Sequence, residues 1–150
     1  MDRRNAFFHA IKTEPTATLA TASGTDVTMR LISPVLYQDR ILFFTARESV
    51  KFQQLTANPN CCISVGGFFA QAQVEFRGPT MLQANAELQT AYSEKFPGAF
   101  DGGVEFGGRS AEFILLKPTR LKGWAFDSDS PAKDSIPTIP FDIDLCDKRE

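Results

Sequence analysis

The 150 residues hold only one histidine, three cysteines, one tryptophan and two tyrosines, so imidazole and thiolate, the usual zinc ligands, are scarce. Zinc needs several His or Cys ligands, and His9 is the only histidine. The cysteine count is odd, and Cys61 and Cys62 are adjacent. Neighbours on a strand point to opposite faces, so this pair suits neither a disulfide framework nor a metal site. The cysteines read as small, buried apolar residues. His9 falls in the first predicted helix without an acid–base partner, and there is no Gly-x-Ser-x-Gly elbow, so no Ser-His-Asp set can be assembled. Glu75 and Glu112 are single carboxylates on separate strands, which gives a paired-carboxylate mechanism no support. Neither a P-loop nor a strand-linked Gly-x-Gly-x-x-Gly is present. The Gly-rich segment 98–108, with five of the ten glycines, lacks the lysine and the preceding strand that a nucleotide cradle needs, and reads as a loop.

No apolar run approaches the length of a membrane span, and the first apolar stretch is broken by His9 and Lys12, a poor signal peptide. These features give a cytoplasmic expectation. A net charge of −2 argues against nucleic acid as the main partner. The charge is unevenly spread: residues 127–150 hold seven acidic and three basic side chains, so that segment is −4 and the remainder +2. A mildly positive body suits a small anionic ligand. Two segments follow: a domain over residues 1–126, and an acidic, proline-containing C-terminal tail over 127–150, read as extended.

What the chain does hold is fourteen phenylalanines and a series of short β-prone runs. Residues 2–13 predict a helix capped by Asp2, with Phe7, Ala10 and Ile11 at helical spacing, ended at Pro15. Residues 16–22 are β-prone. Residues 27–37 alternate, with Val27, Met29, Leu31, Val35 and Tyr37 on one face and Arg30 on the other, and Pro34 marks an edge or a bulge. After a hairpin turn at 38–40 comes a buried strand over 41–46, then a short helix from Ser49 to Ala57 stopped by Asn58 and Pro59. Further strands are expected at 61–65, 71–83, 111–116 and 121–126, with an amphipathic helix over 85–96. Hairpin-linked strands with helices at the joins predict a mainly β protein, an antiparallel barrel of six to seven strands with peripheral helices.

One constellation carries chemistry. Arg30, Ser49 and Lys51 fall on adjacent strands and the start of the following helix. An arginine fork can take two phosphate oxygens, lysine adds a point charge, and a helix N-terminus favours anions. The same spacing is equally that of a helix-capping serine flanked by two solvated charges, and spacing alone leaves both readings open.

The order of the segments resembles the pyridoxamine 5′-phosphate oxidase-like, FMN-binding split-barrel family. The cues run over about residues 5–126: Ala17-Thr18-Leu19-Ala20-Thr21 after a first helix; Arg30-Leu31-Ile32-Ser33 as the second strand; Phe44-Thr45 closing the third; Ser49-Val50-Lys51 opening a helix; Gln73-Val74 on a strand ending in Gly78; and a final stretch from Pro118 to Trp124. The resemblance implies an antiparallel split barrel and a homodimer with flavin at the interface. Arg30, Ser49 and Lys51 would hold the FMN phosphate, and Leu31, Ile32 and Ser33 would run along the isoalloxazine ring. Thr45 and Gln73 would approach the flavin, and Trp124 would be contributed across the two-fold axis. Where pyridoxamine phosphate oxidases carry a lysine after the strand-two arginine, this chain has Pro34 and Val35. Phe96 stands where they have an arginine four residues beyond Tyr92, and residues 125–135 contain neither Arg nor His. The flavin residues are kept and the pyridoxal-phosphate residues are not. The implied protein is therefore an FMN-dependent oxidoreductase of another substrate, a small aromatic or nitro compound with a nicotinamide electron donor. In length and layout it resembles the nitroimidazole-resistance reductases and general flavin reductases. The alternatives are a non-catalytic flavin sensor or storage protein, and a split barrel using a deazaflavin. For haem, only His9 could serve as an axial histidine.

Overall fold

The computed structural model describes residues 2–101, 105–106, 109–125 and 139–146. The first helix, α1 (Arg3–Thr13), starts where Asp2 accepts a hydrogen bond from the Asn5 N–H at 2.8 Å and buries Phe7, Phe8 and Ile11. The strands follow as β1 (Ala17–Ser23), β2 (Asp26–Ile32), β3 (Val35–Tyr37) and β4 (Arg40–Ala46), then helix α2 (Val50–Ala57). Next come β5 (Asn60–Val65), β6 (Phe68–Pro79), helix α3 (Ala86–Lys95), β7 (Glu105–Phe106), β8 (Arg109–Ala125) and β9 (Ile139–Asp144). The β3–β4 turn is Gln38 and Asp39, both at positive φ (48° and 59°), the backbone twist that a two-residue hairpin demands.

Every strand pairing is antiparallel, in the order β2-β1-β5-β6-β8-β4-β3, with β7 and β9 also paired to β8. β2 and β3 are the two ends of this order, yet only Ser33 and Pro34 separate them in sequence. The sheet must therefore curl until its ends lie side by side, while no ladder among the described residues closes the seam. The fold is an antiparallel split barrel with peripheral helices, as expected.

Two apolar clusters hold it. Inside the curl, Leu19, Ile41, Phe43, Ile63, Ile114, Leu116 and Leu121 meet Phe7 and Ile11 of α1 and Leu55 of α2. On the outside of β3, β4 and β8, Val35, Leu42, Phe113 and Leu115 pack against Leu88 and Tyr92 of α3. β4 and β8 are thus covered on both faces, which is why residues 41–44 and 113–116 read as continuous apolar runs rather than alternations.

Three expectations are corrected. Residues 27–37 do not form one strand. Pro34 has no N–H to continue a ladder, and the chain crosses there from one end of the sheet to the other. The two strands expected around Pro118 are one, β8; the register slips so that Gln71 faces Arg120 and Ala72 faces Pro118, leaving Thr119 as the extra residue of a bulge. The described residues form nine strands, more than six or seven, because β7 and β9 were not foreseen. β9 falls inside the segment read as an extended tail. Phe141 and Ile143 turn toward the barrel core while Asp142 and Asp144 face out. Gly123 lies opposite Phe141, where a Cβ would come within 2.5 Å of the ring. Residues 127–138 and 147–150 of that segment, and residues 102–104 and 107–108 of the Gly-rich loop, lie outside the described residues.

Candidate functional site

α2 is the element that organises the site. Its N-cap is Ser49, whose Oγ accepts from the Phe52 N–H (3.2 Å) and from Thr45 Oγ1 (3.1 Å). Both lone pairs are used, and the serine's own hydrogen remains to donate. The N–H groups of Val50 and Lys51, in the first turn, have no intrahelical acceptor. Lys51 and Gln54 are three residues apart and so share a helix face, the one turned to β1 and β2.

Arg30 lies on the half-buried face of β2. Its Nη1 donates to the Leu19 carbonyl (3.2 Å) and Thr21 Oγ1 (2.8 Å), and its Nη2 donates to Thr28 Oγ1. Burial pushes the Arg30 pKa down. Lys51 is lowered too, first by burial and then by the positive charge of Arg30. Arg4, Arg40, Arg47, Arg77 and Arg120 each lie against a carboxylate. Among the described residues Arg30 and Lys51 have none. Buried Glu112 faces Thr45 across β4 and β8 but lies against Arg47; its Oε2 is 3.3 Å from Arg47 Nε without the alignment of a hydrogen bond. Two cations therefore sit together, each disfavoured by its surroundings, at a helix N-terminus.

Beside them is a cavity of ≈ 250 Å³ walled by residues 31–33, Phe44, Lys51 and Tyr92. Tyr92 donates its phenolic hydrogen to the Ser33 carbonyl (2.9 Å), and burial pushes its pKa up to about 12, so it remains a donor across the ordinary pH range.

The structure thus brings Leu31, Ile32, Ser33 and Lys51 to one cavity, with Arg30 electrostatically coupled to Lys51 and with Thr45 bonded to Ser49. It does not bring Gln73 or Trp124 there. Gln73 lines a separate, larger depression of ≈ 520 Å³ on the outer face of β1, β5 and β6 and donates weakly to Asn60 Oδ1 (3.4 Å). Trp124 is exposed on β8, opposite Pro140 of β9. Sequence reasoning missed Thr21, Thr28 and Gln54, which bind Arg30 directly or through one another. Their only signal was polarity on the barrel-facing positions of β1, β2 and α2. The reading of the cysteines as buried apolar residues holds for Cys61, whose thiol is pushed up to about 12 by burial, but Cys62 and Cys146 are exposed. His9 lies exposed on α1. Among the described residues no helix is long and apolar enough to cross a membrane.

An antiparallel split barrel with an uncompensated basic cleft beside its seam defines a recognisable class. Residues 4–125 match the profile of the pyridoxamine 5′-phosphate oxidase family, and the chain belongs to it. No curated protein sequence matches. Solved structures share the fold at low identity. A NimC/NimA family protein from Clostridium acetobutylicum is 16% identical, covering 83% of this chain and 87% of its own, with a TM-score of 0.57. A pyridoxamine 5′-phosphate oxidase-related, FMN-binding protein from Nostoc punctiforme is 16% identical over 81% and 78%, with a TM-score of 0.53. HutZ, the haem storage protein from Vibrio cholerae, is 14% identical over 79% and 91%, with a TM-score of 0.63.

Proposed function

We propose that this protein binds FMN as a homodimer and acts as an oxidoreductase on a small aromatic or nitro compound, with a nicotinamide electron donor. The observation that carries the reading is the pair Arg30 and Lys51, two partly buried cations that meet no carboxylate among the described residues. A phosphate monoester supplies the missing charge, and the Ser49 hydroxyl and the first N–H groups of α2 add donors of the right kind. The chain's residues therefore fit the cofactor. Arg30, Ser49 and Lys51 would hold its phosphate, and residues 31–33 would flank its ring system with Phe44 and Tyr92 nearby. Thr45 would support the phosphate end through Ser49. The flavin, when bound, supplies the redox chemistry, which accords with the absence of an acid–base set among these side chains.

The cavity of ≈ 250 Å³ falls below the range of about 300–1,000 Å³ usual for cofactor-sized ligands. That supports a site completed by a second copy, from which Trp124 would reach over; Gln73 would then approach from its own face of the sheet.

Protein incubated with excess FMN and desalted should keep a flavin absorption spectrum; a colourless eluate would sink the reading. Arg30→Ala should weaken FMN at least about tenfold, the scale of one charge-assisted contact, and leave riboflavin nearly unchanged. Equal losses for the two ligands would overturn the phosphate assignment. Reduced holoprotein should be reoxidised by a nitroaromatic faster than free reduced FMN is. Failure of that step alone would favour a flavin carrier or sensor, and mass spectrometry of the co-purified ligand separates FMN from a deazaflavin or haem.

A further inference from the structure

Gln54 is a buried amide on α2, only 7% exposed, at the centre of a small polar group that includes buried Thr21. Its Oε1 accepts from two hydroxyls at once, Thr21 Oγ1 at 2.6 Å and Thr28 Oγ1 at 2.5 Å. Its Nε2 reaches toward the Asp26 carbonyl at 3.5 Å. The same two hydroxyls accept from Arg30, Thr21 from Nη1 and Thr28 from Nη2. A hydroxyl has one hydrogen. Because each threonine spends it on Gln54, the lone pairs of both are turned to the guanidinium.

We propose that Gln54 is a positioning residue for Arg30: by fixing the Thr21 and Thr28 hydroxyls it aims the guanidinium of Arg30 at the anion held by Lys51. The proposal rests on the phosphate reading of the site and deepens it. Arg30 has five N–H donors. Three go to Leu19, Thr21 and Thr28, which leaves Nε–H and one Nη2–H, a fork able to meet two phosphate oxygens. An arginine tethered at three points loses little further freedom on binding, which is how preorganisation raises affinity. Gln54 and Lys51 share one face of α2, so a single helix supplies one cation and orients the other. Without the amide oxygen, the threonine hydroxyls would rotate to find another acceptor, and their lone pairs would leave Arg30.

The test is a double-mutant cycle of Gln54→Leu with Arg30→Ala, reading FMN and riboflavin dissociation constants by flavin fluorescence. Gln54→Leu should weaken FMN about tenfold, the size of one misaligned charge-assisted hydrogen bond, while riboflavin changes less than about twofold. In the Arg30→Ala background the same substitution should have no further effect on FMN, because its target is gone. Additive losses, or equal losses for FMN and riboflavin, would show a merely structural role and overturn the proposal. If Gln54→Leu does not fold, Thr28→Val decides the matter by the same two readouts, since it deletes one relay hydroxyl at constant shape. Unmodified protein that fails to prefer FMN over riboflavin would remove the phosphate reading and this inference with it. A normal preference unaffected by Gln54→Leu or Thr28→Val would remove the inference alone.

Discussion

Lys51 sits where its own charge is disfavoured, and that makes ligand binding pH-dependent. Its pKa lies below the usual 10.5, through burial first and the Arg30 charge second. A bound phosphate opposes both effects and draws the proton back. Phosphate affinity should therefore be complete while Lys51 is protonated in the free protein, and should fall as pH rises through the lowered value, on the near side of 10.5. Riboflavin, lacking the phosphate, should show no such limb. On the acidic side, affinity should rise through about pH 6, where a phosphate monoester takes its second charge. Fluorescence titrations of FMN across this range check the shape. Lys51→Arg, whose guanidinium stays charged throughout, should abolish the alkaline fall; an unchanged fall would reassign it to another group. The linkage also acts on the free protein. Holding a lowered lysine charged is a destabilisation, fully present below its folded pKa and relieved as pH rises from there toward 10.5.

Helix α3 matters for what it grips. The carbonyls freed where the chain crosses from β2 to β3 would otherwise be stranded: Ser33 O is taken by Tyr92, and Pro34 O by Lys95 Nζ at 2.6 Å. The same ammonium accounts for Ile11 O (2.8 Å) and Glu14 O (2.6 Å) at the end of α1. One lysine thus ties α1, α3 and the wall of the cavity. Lys95→Met, which keeps the stem and removes the donors, should cost about 1 kcal/mol in urea unfolding, the scale of a part-buried hydrogen bond lost to solvent. It should also speed amide exchange around residues 31–36 more than in β5 or β6, and uniform acceleration would deny the local clamp. This arrangement marks the border of what could be read beforehand. Asp2, Ser49 and the turn at Gln38 and Asp39 were legible because caps and turns are settled by neighbours in sequence. The crossing at Pro34, the Lys95 clamp and the Gln54 relay depend on partners 26 to 84 residues away, and no local pattern announces them. β9 was missed for a different reason: its alternation of Phe141 and Ile143 with Asp142 and Asp144 was present, but the acidity and prolines around it read as a tail. For the site, residue types and chain order marked Arg30, Ser49 and Lys51 as a group, whereas the separation of Gln73 and Trp124 from the cavity followed only from strand order.

At the scale of the whole molecule, the outer face of the sheet is the feature a single chain leaves unexplained. Val27 (73%), Met29 (73%) and Leu31 (67%) project from edge strand β2, and Phe69 (54%) and Trp124 (58%) lie further along the same sheet. Between them β1 and β5 present small side chains, Ala20 and Cys62 in direct register with Met29 and Gln71. An exposed apolar stripe of this kind marks an interaction surface, and it runs up to Leu31 at the rim of the cavity. A second copy seated there would cover the stripe and bring Trp124 of one subunit toward the Arg30 cleft of the other. Sedimentation should then give twice 16.6 kDa, and Met29→Glu, which buries a charge only in the dimer, should give a folded monomer with weakened FMN binding. Subunit mixing tests the geometry directly. Arg30→Ala and Trp124→Ala homodimers each carry two damaged sites. If the tryptophan acts across the interface, their heterodimer places both lesions in one site and leaves the other intact. Half of its sites should then bind FMN with the unmodified affinity. If Trp124 serves its own subunit, the heterodimer keeps one lesion in each site, and no high-affinity fraction appears.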